Sequence, residues 1–487
     1  MDREPLPVRK TEGRIVSEPS RVITNHYRPE GETRIRRVID RILALTEEEA
    51  NQTLEHVIAD FSTRHKNIWQ IFGRSYHHVR HYVPANVQLS DERQRLIGAY
   101  FTHEYSVQAA AFFNPSIVVH PDQSYVDEGS VRVILSFRST GEGHISSIEF
   151  RSGIIGPDND LHLDPTTRFV ETPEVIENPS YDRLVYGLKL EDMESNNDVS
   201  TDVMRDLPER FTRFDLEAEI QTVLDRSPER RPLLHDTIEK MRWLARSNYE
   251  LRFRKDREVS ERVIFPVSEN ESRGIEDARF VRFTDDDGEV TYYATYTAYN
   301  GFNILPMLLE TQDFVAFRIR TLNGKAARNK GMALFPRRVE GKYAMISRLD
   351  GENLFFMSSD NIHFWHEAEL LQEPQYPWEF VQIGNCGSPI ETEQGWILLT
   401  HGVGPMRKYC IGACLLDLHQ PQRVIGHLAE PLLYPTDGDR EGYVPNVVYT
   451  CGAMIHNGEL IVPYSMSDTA AGVAAVAVED LVRRMLE

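Results

Sequence analysis

The chain has few cysteines, no long apolar run and a shortage of positive charge. Its 487 residues include four cysteines, and 54 Lys and Arg stand against 75 Asp and Glu, a formal net charge of -21. Nucleic acids and anionic membranes are bound by clustered Lys and Arg, so both are excluded as expected partners. No segment approaches the about 20 apolar residues of a membrane span, and the N-terminus lacks a signal-peptide pattern. The sequence predicts a soluble, cytoplasmic protein with a small ligand, either neutral or an anion held in a local basic pocket.

Metal and cofactor motifs are also missing. Cys386, Cys410, Cys414 and Cys451 lie near the C-terminus, and a zinc site there would need further ligands at matching spacing. We therefore predict buried, reduced thiols and no metal. The sequence has no glycine-rich dinucleotide loop after a strand and no P-loop, so no cofactor is expected.

Five glycine-led runs of alternating apolar and polar residues are the main pattern in the chain. The last four of these glycines recur at intervals of 53, 54 and 63 residues (341 − 288, 395 − 341 and 458 − 395), close to one four-stranded propeller blade. Each run ends on a polar or charged residue, which favours convergence on one central pocket. The pattern predicts a mostly β fold, a five-bladed β-propeller; a β-sandwich with coincidental spacing is the alternative. The runs are Gly129 to Arg138, Gly288 to Thr297, Gly341 to Arg348, Gly395 to His401 and Gly458 to Ser465.

Two parts of the chain outside these runs have the periodicity of helices. IRRVIDRILALT places apolar residues on one helical face, and SDERQRLIGAYF begins with a serine cap followed by acids. The helical period of apolar residues returns in FDLEAEIQTVLDRS and LLHDTIEKMRWLARSNYELRF. A helical insertion there explains the long first interval between the glycine-led runs. We predict an N-terminal arm and helical region over residues 1–110 and a propeller over 111–487. A helical insertion is expected at about 195–257, as a lid, an oligomer contact or a pocket wall, and VEDLVRRMLE is expected to close the chain as a helix.

The motif that most clearly indicates catalytic chemistry is the segment from Arg273 to Phe280, RGIEDARF. It sets Glu276 and Asp277 between two arginines just before a strand. Neighbouring residues of an extended chain face opposite ways, so we expect one carboxylate in the pocket and the other anchoring the loop. A single pocket acid suits general acid catalysis, and a surface turn held by salt bridges is the alternative.

Several other polar groups stand beside Gly or Pro at predicted strand ends. A ligand rich in hydroxyls needs many such fixed donors and acceptors, together with aromatic faces. This chemistry fits a sugar. The runs contain Asn114 and Ser116, Lys330, Glu391, His401, Asn446 and Asp468.

At these positions the chain resembles glycoside hydrolase family 130, five-bladed β-propeller enzymes that cleave β-mannosides, mostly by phosphorolysis. The resemblance runs from about residue 113 to residue 468, outside the helical insertion. It rests on the motifs NPSI, GIEDARF, KGMALFP, GKYAMISR, PIETEQGW, HGV, GYVPNVVYTCG and SDT.

The resemblance implies roles for individual residues. Asp277 falls on the family's catalytic acid, which protonates the leaving oxygen through a hydroxyl of the mannosyl ring while phosphate attacks with inversion. Arg348 and Arg279 are expected to bind phosphate. The remaining expected substrate contacts are Asn114, Ser116, Arg138, Glu276, Lys330, His401, Asn446 and Asp468.

Glu391 departs from the family pattern. Members with a PIKTE-like loop have a lysine there that contacts phosphate, so this chain differs by two charge units at that place. One unit charge at 4 Å is worth about 4 kcal/mol at an effective dielectric near 20, so the exchange matters if Glu391 faces phosphate. Either other cations, such as Arg348, Lys330 and Arg407, rebuild the anion site, or Glu391 activates a water molecule as general base.

Three hypotheses follow. The first is an inverting phosphorylase of β-mannosides, with β-1,2-manno-oligosaccharides as the expected substrates, that takes phosphate as co-substrate and yields α-mannose 1-phosphate. The second is an inverting β-1,2-mannosidase that uses Glu391. The third is a glycan-binding propeller without turnover, which has no evident use for the Glu276–Asp277 pair. Whether the chain forms a homo-oligomer stays open.

Overall fold

The structure is a computed structural model that describes residues 6–11, 13–176, 179–226 and 231–487. The first five residues of the predicted N-terminal arm lie outside the described residues. None of the described helices is long and apolar enough to cross a membrane. The described ranges contain nine α-helices: α1 (Glu32–Leu43), α2 (Glu47–Phe61), α3 (Ile68–Val79), α4 (Asp91–Tyr100), α5 (Arg183–Asp192), α6 (Asp198–Arg205), α7 (Arg213–Arg226), α8 (Arg231–Ser247) and α9 (Val478–Leu486).

The strands of the described ranges are numbered in chain order. The first fifteen are β1 (Arg9–Lys10), β2 (Val22–His26), β3 (Thr102–Ser106), β4 (Ala111–Val119), β5 (Val131–Thr140), β6 (Ser146–Ile155), β7 (Leu161–Leu163), β8 (Glu174–Ile176), β9 (Ser180–Asp182), β10 (Arg210–Thr212), β11 (Tyr249–Arg252), β12 (Val263–Ile264), β13 (Gly274–Thr284), β14 (Val290–Tyr299) and β15 (Ile304–Thr311). The others are β16 (Ala316–Thr321), β17 (Ala333–Leu334), β18 (Tyr343–Ser347), β19 (Leu354–Ser359), β20 (Glu369–Gln372), β21 (Gln382–Asn385), β22 (Ile390–Thr392), β23 (Gly395–Val403), β24 (Tyr409–Leu416), β25 (Val424–His427), β26 (Val448–Tyr449), β27 (Met454–His456), β28 (Glu459–Met466) and β29 (Ala470–Ala477).

Five antiparallel sheets of four to six strands form the larger part of the molecule. Sheet 1 has the order β12-β6-β5-β4 with β7 beside β6, sheet 2 the order β13-β14-β15-β16-β11-β8, and sheet 3 the order β17-β18-β19-β20. Sheet 4 has the order β21-β23-β24-β25 with β22 beside β23, and sheet 5 the order β1-β29-β28-β26 with β27 beside β28. The N-terminal strand β1 thus completes a sheet that is otherwise built from the C-terminal end of the chain.

Each glycine-led run of the sequence forms a strand in a different sheet. The five strands are β5, β14, β18, β23 and β28. Alternation of apolar and polar residues at period two is the pattern of a strand with two unlike faces, and the prediction of a mostly β fold is confirmed.

Apolar packing links the five sheets in a cycle. One buried cluster contains residues of sheets 1 and 2, a second those of sheets 2 and 3, a third those of sheets 3 and 4, and a fourth those of sheets 4 and 5. A fifth cluster joins sheet 5 back to sheet 1, where Ile461 and Val473 pack with Phe112 and Leu135. Every sheet therefore buries both of its faces against neighbouring sheets, and burial of this kind is the main favourable term in folding.

The predicted N-terminal helices are present. Helix α1 buries Ile35, Ile39 and Ile42, and α4 begins after Ser90, whose hydroxyl accepts from the N–H of Arg93 at 3.2 Å. Such a cap satisfies one of the free amides at a helix start. Helices α1 to α4 enclose a cluster of their own.

The insertion is longer than the sequence indicated. Its helical part begins at Arg183, before the expected boundary at 195, and α5 to α8 share one buried cluster. The segment NYELRF, which we expected to continue the last helix, instead supplies strand β11 at the outer side of sheet 2. Its alternating Tyr249 and Leu251 point into the core there, so pairing with β16 outweighs the helical period of the preceding residues.

Candidate active site

Asp277 lies near the start of β13, where the strand is irregular. The pairing of β13 with β14 shifts between Glu276 and Arg279, and Asp277 has a positive φ of 55°. This β-bulge overturns the expectation that only one carboxylate faces the pocket. Arg138 Nη2 donates to Glu276 at 3.1 Å and Arg138 Nη1 donates to Asp277 at 3.4 Å, so both carboxylates reach one guanidinium.

Asp277 is held as a carboxylate. Its Oδ1 also accepts from Asn114 Nδ2 at 2.7 Å, and Arg279 Nη1 donates to its backbone carbonyl at 3.1 Å. Burial alone raises the pKa of Asp277, but Arg138, Arg279, the Asn114 hydrogen bond and Lys330 outweigh burial and hold this pKa below its ordinary value.

Sheets 1 and 5 position the side chain of Asn114. Asn114 has a positive φ of 50°, at a bulge in β4, and its Oδ1 accepts from Ser465 Oγ at 2.8 Å. The nearby Ser116 Oγ accepts from the N–H of Phe280 at 3.1 Å. Residues of three different sheets therefore fix the position of one carboxylate.

Asp468 faces the same cluster from the β28–β29 turn. Both Ser467 and Asp468 adopt positive φ, at 48° and 51°. Burial and the negative charge of Asp277 raise the pKa of Asp468 to about 7, although Arg138 and Arg407 oppose the change. The cluster thus contains an ionised carboxyl, Asp277, beside a carboxyl that is half protonated near neutrality.

The cations of the site have different partners. Lys330 forms an ion pair with Glu276, and Arg348 Nη1 lies 3.3 Å from His401 Nε2. Burial and the charge of Arg348 lower the pKa of His401 well below its ordinary value, so His401 is neutral and accepts this hydrogen bond. Arg279, only 3% exposed, donates from Nη2 to the hydroxyl of Tyr449 at 2.7 Å.

Several buried polar atoms around this cluster have no hydrogen-bond partner among the described residues. A buried donor or acceptor without a partner costs about 1–3 kcal/mol, so such a concentration is typical of a place that holds water or a polar ligand. They are Arg138 Nε, Arg279 Nε, Arg348 Nε and Asn385 Oδ1.

Two residues predicted for the site form their hydrogen bonds with residues outside the Asp277 cluster. Asn446 accepts from Arg440 Nε at 2.8 Å within its own loop. Glu391 lies on the short strand β22 and accepts from Arg337 twice, at 2.8 and 2.6 Å, with its side chain 40% exposed. Within the part of the chain that the structure describes, neither residue hydrogen-bonds to the Asp277 cluster.

Three residues of the site were missing from our assignments. Ser465, Tyr449 and Asn385 contact or border the cluster, at the ends of strands from sheets 5 and 4. Ser465 is the last residue of the fifth glycine-led run, so the pattern contained a signal for it. Tyr449 lies within the motif GYVPNVVYTCG and Asn385 lies between Gly384 and Cys386 at a strand end, so both segments had been noted although neither residue was assigned a role.

The four cysteines are free and buried, as predicted. Burial raises the pKa of Cys386 to about 12, so this thiol is neutral where it borders His401 at 3.9 Å. Among the described residues, no group of three or more His, Cys, Asp or Glu is arranged to hold a metal ion.

The family model described as beta-1,4-mannooligosaccharide phosphorylase matches residues 244–487. The chain belongs to glycoside hydrolase family 130. It is therefore an enzyme of the glycoside phosphorylase type, and the resemblance seen in the motifs is confirmed. The match takes in Glu276, Asp277, Arg348, His401 and Asp468.

Several relatives are named as phosphorylases of mannosides. A 1,2-beta-oligomannan phosphorylase of Thermoanaerobacter is 33% identical over 226 residues, 45% of this chain and 73% of the relative. A beta-1,2-mannobiose phosphorylase of Listeria innocua is 28% identical over 229 residues, 46% of this chain and 63% of the relative. A solved structure of the Listeria innocua beta-1,2-mannobiose phosphorylase with beta-1,2-mannobiose covers 78% of this chain and 93% of its own, at 20% identity and a TM-score of 0.45.

Proposed function

We propose that the protein is an inverting phosphorylase that cleaves β-mannosides with inorganic phosphate and releases α-mannose 1-phosphate. The observation that carries the proposal is the cluster in which Asn114, Arg138 and Arg279 hold Asp277 beside unpartnered guanidinium nitrogens. A carboxylate for proton transfer and cations for phosphate are the two requirements of phosphorolysis, and both are within this cluster.

Arg348 is the proposed main phosphate ligand. Lys330 is paired with Glu276, and Arg279 donates to the backbone carbonyl of Asp277 and to the Tyr449 hydroxyl, so both cations already have partners. Arg348 donates to a neutral histidine instead, its Nε has no partner among the described residues, and its charge is available to an anion. Arginine matches phosphate geometry through two parallel N–H donors.

Asp277 would act as the acid, through a mannosyl hydroxyl. A phosphate oxygen attacks the anomeric carbon, the glycosidic C–O bond breaks with inversion, and the leaving oxygen takes a proton that Asp277 supplies. Asp277 must first gain that proton. An incoming phosphate adds negative charge next to the cluster, which raises the pKa of the carboxyl and favours its protonated form in the complex.

Asp468, Asn114, Ser116 and Glu276 are proposed to hold the mannosyl unit. They come from sheets 1, 2 and 5 around one space, an arrangement that a five-bladed propeller would produce. The cyclic packing of the five sheets supports that architecture. The names of the 1,2-beta-oligomannan and beta-1,2-mannobiose phosphorylases support β-1,2-manno-oligosaccharides as substrates.

The contacts of Glu391 do not favour the mannosidase alternative. A general base must reach the attacking water, whereas the Glu391 carboxylate is taken up by Arg337 on an exposed hairpin. The same ion pair neutralises the charge that replaces the family's lysine. We therefore expect phosphate to be held by cations elsewhere in the site, above all Arg348.

Product analysis tests the proposal. The protein is incubated with β-1,2-mannobiose or β-1,4-mannobiose, with and without millimolar phosphate, and mannose 1-phosphate is resolved from free mannose. We expect phosphate-dependent mannose 1-phosphate, formed faster from the β-1,2 substrate. Free mannose released at the same rate without phosphate would refute phosphorolysis and reopen the mannosidase.

A further inference from the structure

A polar cavity lies between the helical insertion and sheet 2, and its lining residues are different from those of the Asp277 cluster. Its volume is about 380 Å³, and its walls come from β9, α5 and β10 of the insertion, from β11, β15 and β16, and from the loop that contains His363. Pockets for small molecules commonly measure about 300–1,000 Å³, so the space suits one. The cavity is lined in part by Lys189, Arg320, His363, Glu250, Glu310 and Arg318.

Lys189 places a buried amino group at this cavity. It is 3% exposed, and its Nζ donates to Asn248 Oδ1 at 3.0 Å and to the carbonyl and hydroxyl of Thr321 at 3.0 and 2.9 Å. These acceptors are neutral, and no described carboxylate pairs with Lys189. Burial, with a smaller effect of Arg320, lowers its pKa well below the ordinary value. Burial without a counter-ion disfavours the protonated form of this amino group, and an anion nearby would favour that form.

His363 and Arg320 face the same space. The ring nitrogen Nδ1 of His363 is buried and has no hydrogen-bond partner among the described residues. Burial, Lys189 and Arg320 lower the pKa of His363 to about 3. Three nitrogen-containing side chains thus converge where positive charge is disfavoured, and the neutral imidazole has a free nitrogen that can donate or accept.

Two carboxylates of the cavity, those of Glu310 and Glu250, are paired with arginines. Arg318 donates to Glu310 at 2.9 Å, and Arg320 donates to Glu250 at 3.3 Å. These carboxylates retain acceptor capacity for hydroxyl groups. The cavity therefore combines the nitrogen-containing side chains of Lys189, His363 and Arg320 with carboxylates that suit a polyhydroxylated group.

We propose that this cavity is a separate ligand site that binds a phosphorylated hexose, with the phosphate toward Lys189, Arg320 and His363 and the sugar hydroxyls toward Glu250 and Glu310. The site goes beyond the cleavage reaction and gives the insertion a role in ligand binding. Inorganic phosphate shares the anionic chemistry, but it would leave most of the 380 Å³ unfilled.

Calorimetric titration of the full chain tests the site. The probes are mannose 6-phosphate, inorganic phosphate and neutral mannose. The variants are Arg320→Gln and His363→Phe, with Arg252→Gln on the same sheet as matched control and Arg348→Gln to disable the proposed cleavage site. We expect one equivalent of mannose 6-phosphate to bind the wild type. The affinity should fall at least tenfold in Arg320→Gln and His363→Phe and stay within twofold in the other two variants.

Other outcomes would overturn the inference. The first is wild-type protein that does not bind mannose 6-phosphate. The second is that folded Arg320→Gln and His363→Phe proteins bind mannose 6-phosphate as tightly as the wild type does. The third is loss of binding in Arg348→Gln, which would place the ligand at the cleavage site. Inorganic phosphate that binds the cavity as tightly as mannose 6-phosphate would refute the hexose part. Melting temperatures identify folded variants, and because the two test substitutions come from different segments, either one suffices if the other fails to fold.

Discussion

Replacing Asp468 with asparagine should change how the stability of the protein depends on pH. In the folded chain the pKa of Asp468 is raised to about 7 from its ordinary 3.8, chiefly by burial and by Asp277. A raised carboxyl pKa means that the folded state binds more protons than the unfolded state between these values. Stability associated with this group is therefore greatest below pH 4 and is lost as the pH rises through 7.

The magnitude follows from the two pKa values. Each unit of pKa difference corresponds to about 1.36 kcal/mol, and the linkage relation then gives a loss of about 2–3 kcal/mol between pH 5 and pH 8. This is an upper limit, because part of the Asp468 side chain is exposed and water screens it. At about 2.1 cal/mol/K per residue, a chain of this length shifts its melting temperature by about 1 °C per kcal/mol.

The assay is thermal unfolding of wild type and Asp468→Asn at pH 5 and pH 8 in the absence of ligand. Asparagine cannot ionise, so the melting temperature of the variant, relative to that of the wild type, should rise by up to about 2–3 °C from pH 5 to pH 8. The control is Asp437→Asn, in which an exposed aspartate of the neighbouring loop is replaced, and it should follow the wild type. Parallel pH profiles of wild type and Asp468→Asn would refute the assignment of a raised pKa to Asp468.

Further substitutions test the proposed site. Asp277→Asn should lower kcat by at least about 100-fold in protein that remains folded, and near-normal turnover would remove Asp277 from the acid role. Arg348→Ala should raise the KM for phosphate at least about tenfold while the KM for mannobiose changes little; equal effects on both would contradict the phosphate assignment. Glu391→Gln should keep phosphorolysis within about threefold, whereas abolished turnover would restore Glu391 to the catalytic group. Gly274→Ala should lower stability by about 1–3 kcal/mol and reduce turnover, because Gly274 has a φ of 129° and an added Cβ would lie 2.5 Å from Ser146 Oγ; unaltered melting and kcat would show that the strand tolerates the change.

Local pattern was enough to predict much of this protein. Period-two alternation after a turn glycine identified one strand in each of the five sheets. The side chains of a strand alternate between its two faces, so the local sequence alone shows that these faces differ. The sequence motifs were enough to identify the family and to single out Asp277, Asn114 and Arg138, which are hydrogen-bonded to one another in the structure.

Other features could not be derived locally. The strand rule failed at Glu276 and Asp277, since the bulge that turns both toward Arg138 depends on pairing with β14. NYELRF was misassigned because its place beside β16 is fixed by residues about 70 positions later.

The sequence by itself determined the strands, the helical faces and the identity of the chemical groups, because each is encoded within a few neighbouring residues. Tertiary structure alone decided which groups act together. It paired Glu391 with Arg337, joined Ser465 to Asn114, and set Asp277 and Asp468 close enough that their pKa values move in opposite directions. Charge interactions depend on distance and burial, and both arise only when segments far apart in the chain are packed together.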